Sequence, residues 1–281
     1  MRGALNGSTG VREAWSNLAP GLSLGYVHGR ETAFAENSVI REIVISLPFA
    51  GLWLARNSPA RRVPSHGTDL LGERYAIDFI AVDDRRRTAD RRDWRTFLAT
   101  EPAERFFGYG RPILAPADGI VVEVHDGEID HVGRRSQLTL VPYAFGQPAR
   151  LRQGVGAIAG NYLIIALRDS GAFVALAHLR TGSIRIVAGQ EVTAGQQVAA
   201  CGNSGNSTQP HVHVQVMDSA DLSVARGVPM AFRRFREWPS GAKQFLIKES
   251  GLPGEGAVVE PLPSASAERG SLTDPESDRA L

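Results

Sequence analysis

The chain has 281 residues, of which 43% are hydrophobic and 22% charged, enough to bury a sizeable core in one domain, with or without extensions. Its 31 basic and 30 acidic side chains leave a formal charge of +1, so no global field draws it to nucleic acid or to an anionic membrane. Cys201 is the single cysteine, which excludes an internal disulfide and any zinc site built from several thiolates; a metal would have to be held by histidine and carboxylate.

Residues 1–37 mix Gly and Ser with apolar residues and read as an N-terminal extension, without the basic run, apolar stretch and small-residue cleavage site of a signal peptide. The most apolar stretch, Ile43 to Ala55, is too short to span a bilayer and carries Pro48 in its middle, so no integral membrane segment is expected there. It predicts a buried strand, a turn at Pro48 and Gly51, and a second short strand. From residue 38 to 248, short Val- and Ile-rich runs broken by Gly, Pro, Asn and Asp predict an all-β domain of mostly antiparallel sheets.

The predicted strands are Ile40–Leu47, Tyr75–Val82, Ile113–Leu114 leading into Gly119–His125, Ser136–Val141, Asn161–Leu167, Ala172–Ala177, Gln197–Cys201 and Val212–Met217. Helical periodicity is confined to Thr88–Phe107, where Trp94, Phe97 and Leu98 would form the apolar face of a short helical insertion. Arg85 to Arg95 contains six arginines against two aspartates and reads as a solvated charged face. Residues 249–281, rich in Pro, Gly, Ser and acidic side chains without an apolar period, read as a disordered C-terminal tail.

Candidate chemistry gathers at four places. His211 and His213 lie two apart in an alternating run, so both imidazoles face one point while Val212, Val214 and Val216 face the core. The Gly- and Asn-rich loop Gly202–Pro210 delivers them. Asp78 sits amid apolar neighbours in Tyr75–Ile80, where an unpaired carboxylate would cost several kcal/mol and so requires a cation or several donors. With His66 shortly before it, a set of His66, Asp78 and His213 makes a three-ligand zinc site with a fourth position for water. Asp69 is nearer to His66, but it sits in a turn where water can solvate it. His178 closes the apolar strand Ala175–Leu179, and Cys201, with no activating partner, reads as a packed thiol.

These pieces resemble the lysostaphin/LytM-type zinc peptidases of family M23. The resemblance rests on His66, Ala76-Ile77-Asp78, Ala177-His178-Leu179, and Gly202-Asn203-Ser204-Gly205 leading to Pro210-His211-Val212-His213, with Ala115-Pro116-Ala117-Asp118-Gly119-Ile120-Val121 similar to the stretch after the Asp ligand. It spans roughly His66 to Met217. The segment from His66 to Asp78 is longer than the common His-x3-Asp, so extra residues must loop out between them.

The resemblance implies a lysostaphin/LytM-like barrel-sandwich domain over 38–248 and one zinc ion on His66, Asp78 and His213. It also implies His178 and His211 as catalytic residues, and endopeptidase action on a peptide bond, in peptidoglycan or another peptide, at the cell envelope or outside the cell. Alternatives are a metal-free relative that binds or regulates a cell-wall partner, and a zinc hydrolase of a non-wall peptide. The groove is expected to run across one sheet, with the loops Asp83–Arg111 and Asp126–Arg135 as walls and Asn161 and Asn203 supporting the site by hydrogen bonds. His28, His125 and His131 read as surface or packing residues.

Overall fold

The computed structural model describes residues 42–136, 138 and 154–263. Short β-branched runs become thirteen strands: β1 (Ile43–Ile45), β2 (Trp53–Arg56), β3 (Ile77–Ala81), β4 (Pro112–Leu114), β5 (Gly119–His125), β6 (Asn161–Leu167), β7 (Phe173–Leu179), β8 (Glu191–Val192), β9 (Gln197–Ala200), β10 (Val212–Met217), β11 (Met230–Trp238), β12 (Leu246–Gly251) and β13 (Val258–Pro261). Eleven of them form one sheet in the order β1-β11-β13-β2-β3-β10-β7-β6-β5-β8, with β12 added beside β11, and β4 pairs with β9 in a second, two-stranded sheet. The β1–β11 pair is parallel and the others are antiparallel. The fold is therefore all-β with a large mixed sheet, as the alternation in the sequence predicts. No helix among the described residues is long and apolar enough to cross a membrane.

Side-chain period two divides the central strands into two faces. Ile77, Phe79 and Ala81 of β3, Val174 and Leu176 of β7, and Val212, Val214 and Val216 of β10 enter one apolar cluster, which the small sheet covers with Ile113, Val198 and Ala199. Aromatic rings fill it, Phe49 stacking on Trp53 at 4.4 Å and Phe79 meeting Phe232 edge-on at 5.4 Å. Each such side chain, fully buried, contributes about 1.5–3 kcal/mol. The opposite face of β3, β10 and β7 carries Asp78, His213, Gln215 and Ala177, and it is there that the polar residues collect.

Cys201 is fully buried in the main cluster and burial pushes its thiol pKa up, consistent with a packing role.

Two expectations change. The first part of the predicted tail is sheet: β12 and β13 extend it, Val258 and Val259 are buried against β2, and Gly254 N donates to the buried Glu237 carboxylate. A two-residue apolar run is too short to register in composition, yet it completes a sheet whose partner strands are distant in sequence. The insertion holds a five-residue helix, Trp94–Leu98, whose large apolar residues face outward, and a 3-10 turn, Ala103–Arg105. The buried side there is polar, Glu101 being paired bidentately with Arg135 at 2.6 Å and contacted by Arg105 at 3.2 Å. The predicted strand Ser136–Val141 and His28 lie largely or wholly outside the described residues.

Candidate metal centre

Antiparallel register brings the first two groups together. His213 of β10 lies directly opposite Asp78 of β3, and its Nδ1 stands 2.9 Å from Asp78 Oδ1. His66 enters from the chain between β2 and β3, with Nε2 3.1 Å from Asp78 Oδ2. The residues that separate His66 from Asp78 are taken up by a 3-10 segment, Leu70–Tyr75, in which Leu71 (φ 56°) and Gly72 (φ 78°) adopt left-handed backbone. A Cβ on Gly72 would stand 2.8 Å from Met217 Cγ, so only glycine lets this turn lie against β10.

His178 reaches the same face by breaking the alternation. Leu176 and Leu179 both enter the core, so two residues, Ala177 and His178, must lie between them on one side. They do, because the β6–β7 register shifts between Asn161 and Leu163 and His178 takes φ 59°. Its Nδ1 is 2.9 Å from the Ser204 carbonyl, which can only accept. His178 Nδ1 therefore carries the proton, and Nε2 of the neutral ring keeps its lone pair. His211 Nδ1 likewise donates toward the Gln209 carbonyl at 2.8 Å, and its Nε2 is 3.7 Å from Asp78 Oδ1. The His178 and His211 ring centroids are 4.6 Å apart.

The donor set fits a cation. Gln215 Nε2 donates to the Leu71 carbonyl at 2.7 Å, so Oε1 is the amide atom facing His213 Nε2 at 2.8 Å. His213 Nε2 must then donate, leaving Nδ1 of the neutral ring as a lone pair aimed at a carboxylate. Ser65 Oγ lies 3.2 Å from the Glu73 carbonyl and 3.0 Å from His66 Nδ1, and with its proton on the carbonyl it accepts from Nδ1. His66 Nε2 is thus a second lone pair on Asp78. Acceptors facing acceptors at about 3 Å repel unless a positive charge lies among them. One ligand atom from each of His66, Asp78 and His213 falls within 4.8 Å of the others. Four ligands placed tetrahedrally about zinc at ~2.0–2.1 Å would be separated by about 3.3 Å.

The electrostatics agree. In the metal-free protein burial alone would raise the Asp78 pKa, but His66 and His211 nearby and the close contacts with His213 and His66 hold it well below the usual range. Burial lowers the His178 pKa well below that of a free imidazole, helped by His211 and His213, and burial lowers His211 as well. In the metal-free protein, Asp78 overcomes burial and raises His213 to about 9. Two imidazoles with lowered pKa values therefore stand beside a buried carboxylate that, in the metal-free protein, is countered by His213.

Residues 149–225 match the family model described as peptidase family M23. The resemblance to the M23 peptidases holds over this segment. It includes His178, His211 and His213, while His66 and Asp78 lie upstream and join them through the β3–β10 register. Among solved structures, the chain is similar to the catalytic domain of the antimicrobial peptidase lysostaphin from Staphylococcus simulans, at 19% identity over 57% of this chain and 80% of that one, with a TM-score of 0.31. It is also similar to a catalytic-domain variant of the prophage-encoded M23 protein EnpA from Enterococcus faecalis, at 21% identity over 50% and 94%, TM-score 0.29. A third is a zinc-containing peptidase from Vibrio cholerae, at 20% identity over 50% and 46%, TM-score 0.26. No curated protein matches the chain.

All five residues expected from the M23 motifs line one groove of about 440 Å³. Its walls differ from expectation: neither Asp83–Arg111 nor Asp126–Arg135 lines it. The walls are Thr68, Leu70, Leu71 and Glu73 of the extra turn, Ile158 and Ala159 of the helix Val155–Ala159, Asn206 and Thr208 of the Gly-Asn loop, and Leu222. Asp126–Arg135 instead braces the site from behind. Asn161 pins it by accepting from Gly127 N and Glu128 N while donating to the Leu179 carbonyl beside His178. Asn203 donates to the His131 carbonyl and accepts from Ser207 Oγ, which lies 3.0 Å from His211 Nδ1.

Two contributors were missed. Gln215 was available from the same alternation that placed His211 and His213. Asn57, left-handed at φ 51°, donates to Asp78 Oδ2 at 2.7 Å; nothing local to its sequence marks it. His125 pairs with Glu128 and stacks on Tyr162, away from the five-residue set.

Proposed function

We propose that the chain is a zinc metalloendopeptidase, with peptide bonds of bacterial peptidoglycan, in cross-bridges or stem peptides, as its substrate. The observation that carries this reading is the convergence of three ligand atoms from His66, Asp78 and His213 with two neutral, buried imidazoles in one groove. Bound there, zinc would polarise the scissile carbonyl and bring the pKa of a water down toward about 7. Asp78 and the Nδ1 lone pair of His213 would hold the ion from β3 and β10, with His66 as the third ligand.

His178 and His211 supply the proton chemistry. Each is fixed through Nδ1 by a backbone carbonyl, so Nε2 is the atom each offers to the reaction. The Nε2 lone pair of one accepts the proton of the attacking water, and the imidazolium so formed can then donate that proton at Nε2 to an oxygen or nitrogen that gains charge as the peptide bond breaks. Burial keeps both neutral near pH 7, the state a base requires. Leu70, Leu71, Ile158 and Leu222, interleaved with Asn57, Thr68, Asn206 and Thr208, suit an extended peptide with amide groups to satisfy. The motif resemblance supports peptidoglycan as that peptide and the cell envelope as its place.

The test is metal content of the purified protein and of His213→Ala, measured beside release of soluble fragments from purified peptidoglycan. About one zinc per chain, lost together with fragment release in the variant, is the expected result. Zinc without release moves the substrate to a non-wall peptide, and absence of zinc after metal loading would make the chain a binding module.

A further inference from the structure

The helix Trp94–Leu98 is built inside out. Its one buried residue is Thr96, whose hydroxyl donates to Glu101 Oε1 and accepts from Arg135 Nη2, each at 3.2 Å. Its large apolar residues, Trp94, Phe97 and Leu98, are 62%, 61% and 60% exposed. A surface helix ordinarily turns its apolar stripe to the core. Here fully buried Glu101, bound by Arg135 and Arg105, occupies the core side, and an Asp93–Thr96 capping box fixes the first turn. The apolar face is thus held outward by a network of charged hydrogen bonds.

Its flanks are cationic. Arg92 and Arg95 are exposed, and neither meets a carboxylate among the described residues. The Arg95 guanidinium instead lies over the Trp94 ring at 5.5 Å. Arg91, by contrast, is shared between Asp90 and Asp93.

We propose that this face docks on an anionic lipid bilayer, with Trp94, Phe97 and Leu98 entering the boundary between headgroups and acyl chains and Arg92 and Arg95 pairing with lipid phosphates. Tryptophan with aliphatic neighbours suits that boundary, and guanidinium groups match phosphate geometry. Size favours lipid over a protein partner. Three side chains exposed to this degree offer roughly 350 Å², taking ~200 Å² for each, whereas a stable protein interface needs about 800 Å² per partner. A bilayer needs no complementary pocket. The attraction is local, since the chain as a whole carries a charge of only +1.

The full chain is sedimented with vesicles of phosphatidylcholine alone and of phosphatidylcholine with phosphatidylglycerol at low ionic strength. Binding is expected to the anionic vesicles and to weaken more than tenfold in Trp94→Ala/Phe97→Ala/Leu98→Ala and in Arg92→Glu/Arg95→Glu, with circular dichroism unchanged. Brominated acyl chains should quench part of the wild-type emission, and Trp94→Phe should abolish that quenching. Equal binding by both variants overturns the proposal, as does absence of binding to anionic vesicles. Polyphosphate binding of equal strength without acyl-chain quenching reassigns the face to soluble polyanions, and self-association lost in the apolar variant reassigns it to a second copy of the chain.

Discussion

His213 and Gln215, two residues apart on β10, form a hydrogen bond in which the direction is fixed: the Gln215 amide must give its N–H to Leu71, so His213 Nε2 must give its own to Gln215 Oε1. In the proposed zinc site the ligand atom of His213 is decided by that amide. Gln215→Leu should therefore weaken zinc binding by about 10- to 100-fold, read by competition with a chromophoric chelator. Gln215→Glu keeps the acceptor and should retain most of the affinity. Equal affinity in Gln215→Leu would mean that Nδ1 is selected by something else.

In the metal-free protein, stability should fall as pH rises above neutrality. Burial opposes a charged His213, but the hydrogen bond to Asp78 and its charge raise the pKa to about 9. An unfolded histidine titrates near ~6.5, so the native chain keeps a proton that the unfolded chain has given up. That contribution is complete below about 6.5 and is lost as pH climbs through about 9. His178 and His211, with lowered pKa values, act in the opposite sense at lower pH, costing stability as pH falls below about 6.5. In the proposed zinc-bound protein the ion would take the place of the His213 proton. Thermal melts across this range, with chelator and with zinc, should show an alkaline decline only in the first; parallel curves would contradict the assignment.

His178→Asn should lower kcat by about 10²- to 10⁴-fold while leaving zinc content at the wild-type level. Asparagine tolerates the left-handed backbone that His178 adopts, so the fold should survive. Loss of zinc in this variant would make His178 a ligand, and retained activity would remove it from the reaction.

Glu101→Ala should leave Arg105 and Arg135 without their buried counter-charge. Removing one partner of such a group costs about 3–5 kcal/mol. The loss should fall on the insertion, raising amide exchange in residues 88–107 while β3 and β10 keep their protection. Unchanged exchange would show that the insertion is held by other contacts.

The periodicity of the sequence was sufficient for the β class, for the core face of β10 and for the pairing of His211 with His213, because side-chain direction along a strand depends only on position. The need of Asp78 for a cation or several donors was equally legible, since the cost of a lone carboxylate among apolar neighbours is local chemistry. Three matters were decided only by the tertiary structure. His178 faces the site because a register shift against β6 and a positive φ override the alternation that would send it to the core. The groove walls come from the turn 68–73 and the loop 206–208, which local pattern does not bring together. The helix Trp94–Leu98 turns its apolar side out because Glu101, Arg105 and Arg135, brought in from outside the helix, claim the inner side first. A buried ion needs its partners in place, and those partners are set by contacts between segments distant in the chain, which no local pattern encodes.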